Sequence, residues 1–338
     1  MATARRILFL GGNGTISASC SRVLLERGDE LTHLTRGIGS TRAPIDGVRQ
    51  LTGDAGDPAS VRAAIGGEEF DVVVNFRAFT PAHVAADIET FAGRTGQYVF
   101  ISSASAYAKP VAALPIVEST PLRNPYWQYS RDKIAGEDLL VAAFRESGFP
   151  MTIVRPSHTY DEGSIPLEGG WTTLDRMRRG VPVVVHGDGT SLWTLTHSRD
   201  FARAFAGLLG NPHALGSAVH ITGDEVLTWD AVALALGAAL GVEPEIAHVA
   251  SETIARVMPE LGAGLLGDKA HSVVFDNSKL KSLVPGFGTT ILFDEGARRL
   301  IEHYDTHPDE QRYDAAQDAL TDRVIAAAGP DAAASRFF

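Results

Sequence analysis

Tyr129 and Lys133 stand four residues apart in the stretch Tyr-Ser-Arg-Asp-Lys. On a helix that spacing sets a phenol and an amine on one face, one turn apart. An ammonium beside a phenol favours the phenolate, so Lys133 is expected to lower Tyr129 from its ordinary pKa of about 10. A phenol tuned in this way gives up and takes back a proton near neutral pH, which is the work of a general acid/base. A solitary pair of this kind is more often an exposed tyrosine and a solvated lysine on a surface helix. The rest of the chain decides between the two readings.

Arg6 to Leu10 is a short apolar run of the kind a buried parallel strand needs. It ends in Gly11-Gly-Asn-Gly-Thr-Ile-Ser17, and a helical pattern follows through Val23, Leu24 and Leu25 to Gly28. Strand, glycine turn and helix form the context in which a dinucleotide is held. Gly11 permits the tight turn. Gly14 lets the backbone approach a pyrophosphate seated on the helix N-terminus. Ser17 takes the third glycine position, where a small side chain still allows helix and strand to pack. Gly11, Asn13, Gly14, Thr15 and Ile16 are the expected cofactor contacts of this turn.

Glu30 to Thr35 reads as a second strand. An acidic residue at its end would accept from a ribose 2′-hydroxyl and select NAD. Thr35 and Arg36 stand there instead. With no carboxylate to repel a 2′-phosphate and a guanidinium to clamp one, NADP is favoured over NAD; the alternative is a solvated loop cation. Val48 to Thr52 is a weaker third strand. Asp54 after it is suited to an adenine amino group or to capping a helix that starts near Pro58, where Asp57 is the better cap. Asp71 to Phe76 is a strongly apolar fourth strand. Asn75, Phe76 and Arg77 lie at its carboxyl end, where open parallel sheets bind ligands. Arg77 suits the cofactor phosphates or an acidic substrate, and equally a surface position.

Gln97 to Ile101 gives a fifth strand ending in Ser102-Ser-Ala-Ser-Ala-Tyr107, and Met151 to Val154 a sixth ending in Arg155-Pro-Ser-His-Thr-Tyr160. The helix carrying Tyr129 and Lys133 lies between them. Strands alternate with helices throughout, so the expected fold is α/β, a doubly wound parallel sheet. Beyond residue 156 the pattern is less regular. A helix over Leu174 to Arg179, a strand over Pro182 to Val185 and a helix opening at His197 to Asp200 are expected. Val219 to Ile221 is expected to rejoin the sheet, and Thr228 to cap a helix running to Leu240. Asp276 to Phe293 reads as a strand and loop before a helix through Ile301. The tail after Asp305 reads as helical and peripheral, fraying near Ser335.

The composition narrows the function classes. Lys and Arg number 30 against 41 Asp and Glu, a formal net charge of −11. That balance disfavours a nucleic-acid surface. One cysteine, Cys20, excludes an intrachain disulfide and suits a reducing cytoplasm. Its place within an expected helix reads as core packing. No run of eighteen apolar residues occurs, so no membrane span is expected, and no signal peptide. No metal site is expected.

Taken together these motifs resemble the extended short-chain dehydrogenase/reductase superfamily, in its epimerase/dehydratase branch. The residues that carry the resemblance are the Gly11 to Ser17 loop, the Ser102-Ser103 turn, Tyr129 with Lys133, Arg155-Pro156, and Gly187-Asp-Gly189 before His197 to Asp200. It spans roughly residues 5 to 302. Val99 to Tyr107 and Arg155 to Tyr160 are further similar to bacterial relatives of the chloroplast stem-loop-binding proteins. The resemblance implies a Rossmann domain over residues 1–156 plus about 192–222, and a smaller C-terminal substrate-binding part over about 157–191 plus 223–338.

It also implies roles. Ser103, four residues before Tyr107, hydrogen-bonds the substrate oxygen; Tyr129 passes a proton to or from it; Lys133 holds the nicotinamide ribose and tunes Tyr129. Ser102, Pro156 and Ser157 are counted with the cofactor. Ser103, Tyr126, Trp127, His158 and Trp193 are counted with the substrate, and Trp171 and Arg199 are candidate pocket residues; His158 reads equally as a core imidazole. Two positions depart from the branch. Trp193 stands where nucleotide-sugar enzymes carry an arginine that clamps a diphosphate, which puts such substrates in doubt; an indole suits a sugar face instead. Arg77 replaces a small apolar residue. The implied function is an NAD(P)-dependent oxidoreductase or epimerase exchanging hydride at a hydroxyl or keto carbon of a sugar-like small molecule. Relatives of the branch often pair through a four-helix interface, so a homodimer is a further expectation, and the lone cysteine adds a cytoplasmic setting. An RNA-binding or ribonuclease protein reusing the fold is the alternative, since plant members of the subgroup are implicated in RNA binding; the charge and the intact Tyr129–Lys133 pair oppose it.

Overall fold

The computed structural model describes residues 4–37 and 43–329. Its centre is a seven-stranded sheet, and its strands form because their residues are apolar on both faces. Ile7, Leu8, Phe9 and Leu10 of β1 (Arg6–Leu10) are all without exposed surface. The same holds for Val72, Val73 and Val74 of β4 (Phe70–Asn75). With β2 (Glu30–Thr35), β3 (Arg49–Thr52), β5 (Thr95–Ile101), β6 (Met151–Pro156) and a returning strand at Ser217–Ile221 they run parallel. The spatial order is the returning strand, β6, β5, β4, β1, β2, β3. The chain therefore reverses direction across the sheet between β1 and β4, and that switch opens a crevice at their carboxyl ends.

Alternate residues of each strand feed two cores. Ile7 and Phe9 meet α1 (Thr15–Glu26) and a helix at Ser198–Leu208 through Cys20, Leu24, Phe201 and Phe205. Leu8 and Leu10 share the other core with Val61, Val84 and Leu140. Those residues come from α2 (Pro58–Ile65), α3 (Pro81–Phe91) and α4 (Gln128–Ser147). This is the doubly wound α/β arrangement that the alternation of elements predicts. Cys20 is fully buried at the first core, and burial raises its thiol well above the ordinary value.

The rest of the chain forms a smaller body beside the carboxyl edge. β7 (His158–Tyr160) pairs with a strand at Leu195–His197, and β8 (Val183–His186) with one at Ile246–Val249. Trp171, Trp193, Trp229 and Phe293 make its core. Three expectations change here. Asp276 to Phe293 is not a strand and loop: only Phe275 bridges to Ile116, and Ser278–Leu283 is a helix. The reason is local, because the Asp276 carboxylate accepts from Ser278 N at 2.7 Å and starts the helix. The strand at Ile246–Val249 and the turn at Leu265–Lys269, wound with wide π-type hydrogen bonding, were not expected. The tail helix at Ala315–Ala328 is not peripheral. Arg176, 2% exposed, binds Asp318 and reaches Asp322 at 2.7 Å, and Val324 is buried against Val249 and Ile254. The expected fraying near Ser335 lies outside the described residues. No helix among them is long and apolar enough to cross a membrane.

One buried carboxyl beneath β4 makes stability depend on pH. Asp87 of α3 accepts from Tyr98 Oη at 2.6 Å and Asn75 Nδ2 at 2.5 Å. Burial pushes its carboxyl up to about 6. The folded chain then holds this proton more tightly than the unfolded chain, so Asp87 favours folding at low pH and loses that contribution as pH rises through about 6. Urea unfolding at pH 4.5 and pH 7.5 checks this. Relative to Asp87→Asn, the wild type is expected to lose on the order of 2 kcal/mol between the two; equal changes in both proteins contradict the assignment.

Candidate active site

The crevice at the switch has a volume of about 600 Å³. Its floor is the glycine turn. Gly11 adopts φ +89°, which a side chain would resist, and its amide donates to Leu34 O at 3.1 Å. Gly14 caps α1, and its amide donates to Ser17 Oγ at 2.8 Å, so serine at the third glycine position closes the cap. Gly12 has a reason the sequence reading missed. A Cβ there would sit 2.0 Å from Nδ1 of His33, a buried ring stacked on Phe9 at 5.5 Å and bonded through Nε2 to Ser21 Oγ at 2.8 Å. Burial pulls His33 down to about 4. The signal available was a lone imidazole at the centre of an expected buried strand, between Thr32 and Leu34.

Asn13, Thr15, Ile16, Arg36, Asp54, Phe76 and Arg77 all line this crevice, as their positions in the sequence suggest. Asp57 caps α2 by accepting from Ala59 N at 2.9 Å, while Asp54 Oδ1 accepts from Gly56 N at 2.9 Å. Arg77 lies across the glycine turn, since a Cβ at Gly11 would meet its Cγ at 2.4 Å, and its guanidinium rests on the Phe79 ring at 4.9 Å. Asn75 is a correction. It is buried, its amide committed to Asp87 and its carbonyl oxygen to Arg77 N at 2.6 Å, so it braces the strand end and does not face the crevice. Ser102 borders the crevice, yet its hydroxyl is spent on Glu137 Oε1 at 2.5 Å. Glu137 also pairs with Arg155 at 2.5 Å, a buried cluster that ties α4 to β6.

The crevice fits a dinucleotide. The turn brings its backbone to the surface at glycines, and α1 presents its amino end. Asn13 Oδ1 is buried without a hydrogen-bond partner, an acceptor that a ligand hydroxyl would satisfy.

Tyr129 and Lys133 open α4 along the far wall. Their electrostatics differ from the expectation. Burial raises the Tyr129 phenol above its ordinary value; a Ser103 hydrogen bond lowers it and the Asp268 carboxylate raises it. Lys133 is not among the groups that move the phenol. Its amine lies 5.6 Å from the centre of the Tyr129 ring and donates to Ala78 O and Ile101 O, both at 2.7 Å. Burial also brings Lys133 down to about 7, which weakens any pull it has on the phenol. Tyr129 is thus held as a proton donor. Ser103 Oγ lies 2.8 Å from Ser105 Oγ, which lies 2.7 Å from Ser130 Oγ, a chain of hydroxyls behind the phenol. Tyr107 is fully buried, with its hydroxyl 3.0 Å from His220 Nδ1, and takes no part.

A second cavity of about 210 Å³ adjoins the first and shares Ser103, Tyr129, Pro156 and Ser157 with it. Trp127, His158 and Trp193 line it, as expected. Trp193 nevertheless offers less than the sequence suggests: it is 3% exposed, packed on Trp229 at 5.1 Å, and its Nε1 donates to His158 Nδ1 at 3.1 Å. Tyr126 lines neither cavity. The Asn124 side chain accepts from Tyr126 N and Trp127 N, and of the two rings only Trp127 faces inward, 4.8 Å from Tyr129. Trp171 packs on Tyr304 at 4.9 Å, and Arg199 pairs with Glu162 at 2.9 Å, so both stand apart from the cavities. Asp268 and Lys269 were missed because their turn has no hydrophobic period to betray it. Asp268 pairs with fully buried Lys109 at 3.3 Å.

The NAD dependent epimerase/dehydratase family matches residues 89–221. The chain is 27% identical to 2′-dehydrokanamycin reductase of Streptomyces kanamyceticus over 83% of this chain and 80% of that protein. It is 29% identical to the chloroplast stem-loop binding protein of 41 kDa b of Arabidopsis thaliana, over 73% of this chain and 66% of that protein. The fold is similar to that of Thermus thermophilus UDP-glucose 4-epimerase in complex with NAD: TM-score 0.71, 23% identity, 89% of this chain and 99% of that one.

The close approach of Gly12 to His33 gives a direct check on the turn. Gly12→Ala is expected to cost about 1–3 kcal/mol in urea unfolding and to weaken dinucleotide binding. A His33→Ala background, which removes the ring, is expected to recover most of the stability. Failure to recover there would mean that the ring is not what Gly12 accommodates.

Proposed function

Because residues 89–221 match the NAD dependent epimerase/dehydratase family and the chain is similar to a reductase over most of its length, we propose that it is an oxidoreductase or epimerase of the short-chain dehydrogenase/reductase type acting at a hydroxyl or keto carbon of a sugar-like small molecule, with Tyr129 as its acid/base. The observation that carries this reading is the Ser103–Tyr129 pair at the seam where the two cavities meet. A dinucleotide bound in the larger cavity supplies hydride exchange at the carbon that bears the substrate oxygen. Ser103 and Tyr129 hold that oxygen from the other side. The buried phenol keeps its proton at neutral pH and releases it to an oxygen that gains charge, and it takes a proton back in the opposite direction. The hydroxyls of Ser105 and Ser130 extend the hydrogen-bond path behind it. Lys133, with two donors spent on carbonyls, has a third N–H for the ribose.

The same residues serve a reductase and an epimerase, and the names of the Streptomyces relative and the Thermus neighbour span both. Arg36 at the end of β2 supports NADP over NAD. The single buried cysteine supports a cytoplasmic setting. The Arabidopsis relative is named for stem-loop binding, but a formal net charge of −11 argues against a nucleic-acid surface here.

Tyr129→Phe is expected to reduce turnover by about 10²–10⁴-fold while the dissociation constant for the dinucleotide, read by fluorescence titration, stays within a factor of a few. A variant that keeps the wild-type rate removes Tyr129 from the chemistry. Arg36→Ala is expected to weaken NADP by roughly tenfold or more and to leave NAD nearly unchanged; equal losses for the two would refute 2′-phosphate recognition.

A further inference from the structure

Four rings and one lysine wall the reactive cavity from the interior of the C-terminal body. His158 lies 6.2 Å from both Trp193 and Trp229, and His186 lies 4.9 Å from Trp229. Behind the wall is a chamber of about 80 Å³, bounded on its far side by Thr321 and Val324 of the tail helix. Lys269 borders both spaces.

The hydrogen-bond inventory of this wall is one-sided. An indole N–H only donates, so the bond from Trp193 fixes His158 Nδ1 as an acceptor and leaves the ring proton on Nε2. Burial, aided by the Lys269 ammonium, pulls His158 down to about 3, so the ring is a neutral donor throughout the physiological range. His186 Nε2 is taken by the Lys269 carbonyl at 2.9 Å. Trp229 Nε1 is buried with no partner. Among the described residues the Lys269 ammonium has no carboxylate within 4.0 Å, and the carboxylate beside it, Asp268, already pairs with Lys109. The Lys269 ammonium, His158 Nε2–H and Trp229 Nε1–H are thus donors left over in this wall.

We propose that the substrate is a small acidic sugar whose carboxylate or phosphate monoester lodges on Lys269 and the Nε2–H of His158, with no nucleotide attached beyond that group. An acceptor-rich anion is what an unpaired ammonium and an unpaired imidazole N–H require. Size sets the other limit. The two spaces hold about 210 and 80 Å³, below the 300 Å³ or so at which pockets for drug-sized ligands begin, and the tail helix closes the inner one.

This inference rests on the adjoining cavity being the substrate site, yet it is read by binding and needs no turnover. The test is calorimetric titration of the cofactor-loaded protein with glucuronate, glucose 6-phosphate, glucose and UDP-glucose. One or both acidic sugars are expected to bind roughly 30-fold more tightly than glucose, and UDP-glucose no more tightly than glucose. Which of the two acidic sugars binds distinguishes a carboxylate from a phosphate. Lys269→Met is expected to erase the preference and Lys269→Arg to keep it, both with unchanged thermal midpoints. Equal binding of all four sugars, including none at all, overturns the proposal. So does tighter binding of UDP-glucose, or a preference that survives in Lys269→Met. Failure of the acid/base reading would appear separately, as undiminished turnover in Tyr129→Phe.

Discussion

The amine of Lys133 is gripped by two carbonyls, one from Ala78 just past β4 and one from Ile101 at the end of β5. Much of the site hangs on that grip. Strand ends in a parallel sheet carry carbonyls with no partner in the ladder, and a donor from a helix above can satisfy them. Lys133 does so for two neighbouring strands at once. It thereby pins α4 over the mouth of the sheet and sets Tyr129, one turn earlier, at the seam between the two cavities. A lysine whose sequence spacing suggests a purely electrostatic role is first of all a fastener.

The same wall shows how polar groups are managed where water is excluded. Glu137 accepts from Ser102 and from Arg155, and all three are buried. Breaking one member of such a set strands the others, a cost of about 3–5 kcal/mol for a buried ion pair. The cluster takes no part in the chemistry but fixes α4 against β6, so the hydroxyl chain from Ser103 to Ser130 keeps its spacing.

What the sequence made legible follows from how local each feature is. The glycine turn could be read because Gly11 and Gly14 answer to backbone conformations that few other residues tolerate. The sheet could be read because β1 and β4 are apolar on both faces. Direction and environment could not. Nothing adjacent in sequence says that Asn75 turns to Asp87 or that the Ser102 hydroxyl turns to Glu137. The phenol of Tyr129 moves opposite to expectation because burial by distant elements dominates over the lowering by Ser103, and the lysine one turn away is not among its causes. Asp268 and Lys269 were hidden for a related reason: they reach the cavity from a turn more than a hundred residues downstream of Tyr129.

Cys20 sits in the middle of α1, directly behind the cofactor turn, with no exposed surface and a thiol that resists ionisation. The thiolate is the species that peroxides, disulfides and alkylating agents attack. The one sulfhydryl of the chain is thus kept from the reagents that modify an exposed thiolate, although it lies within one helix of the glycine turn.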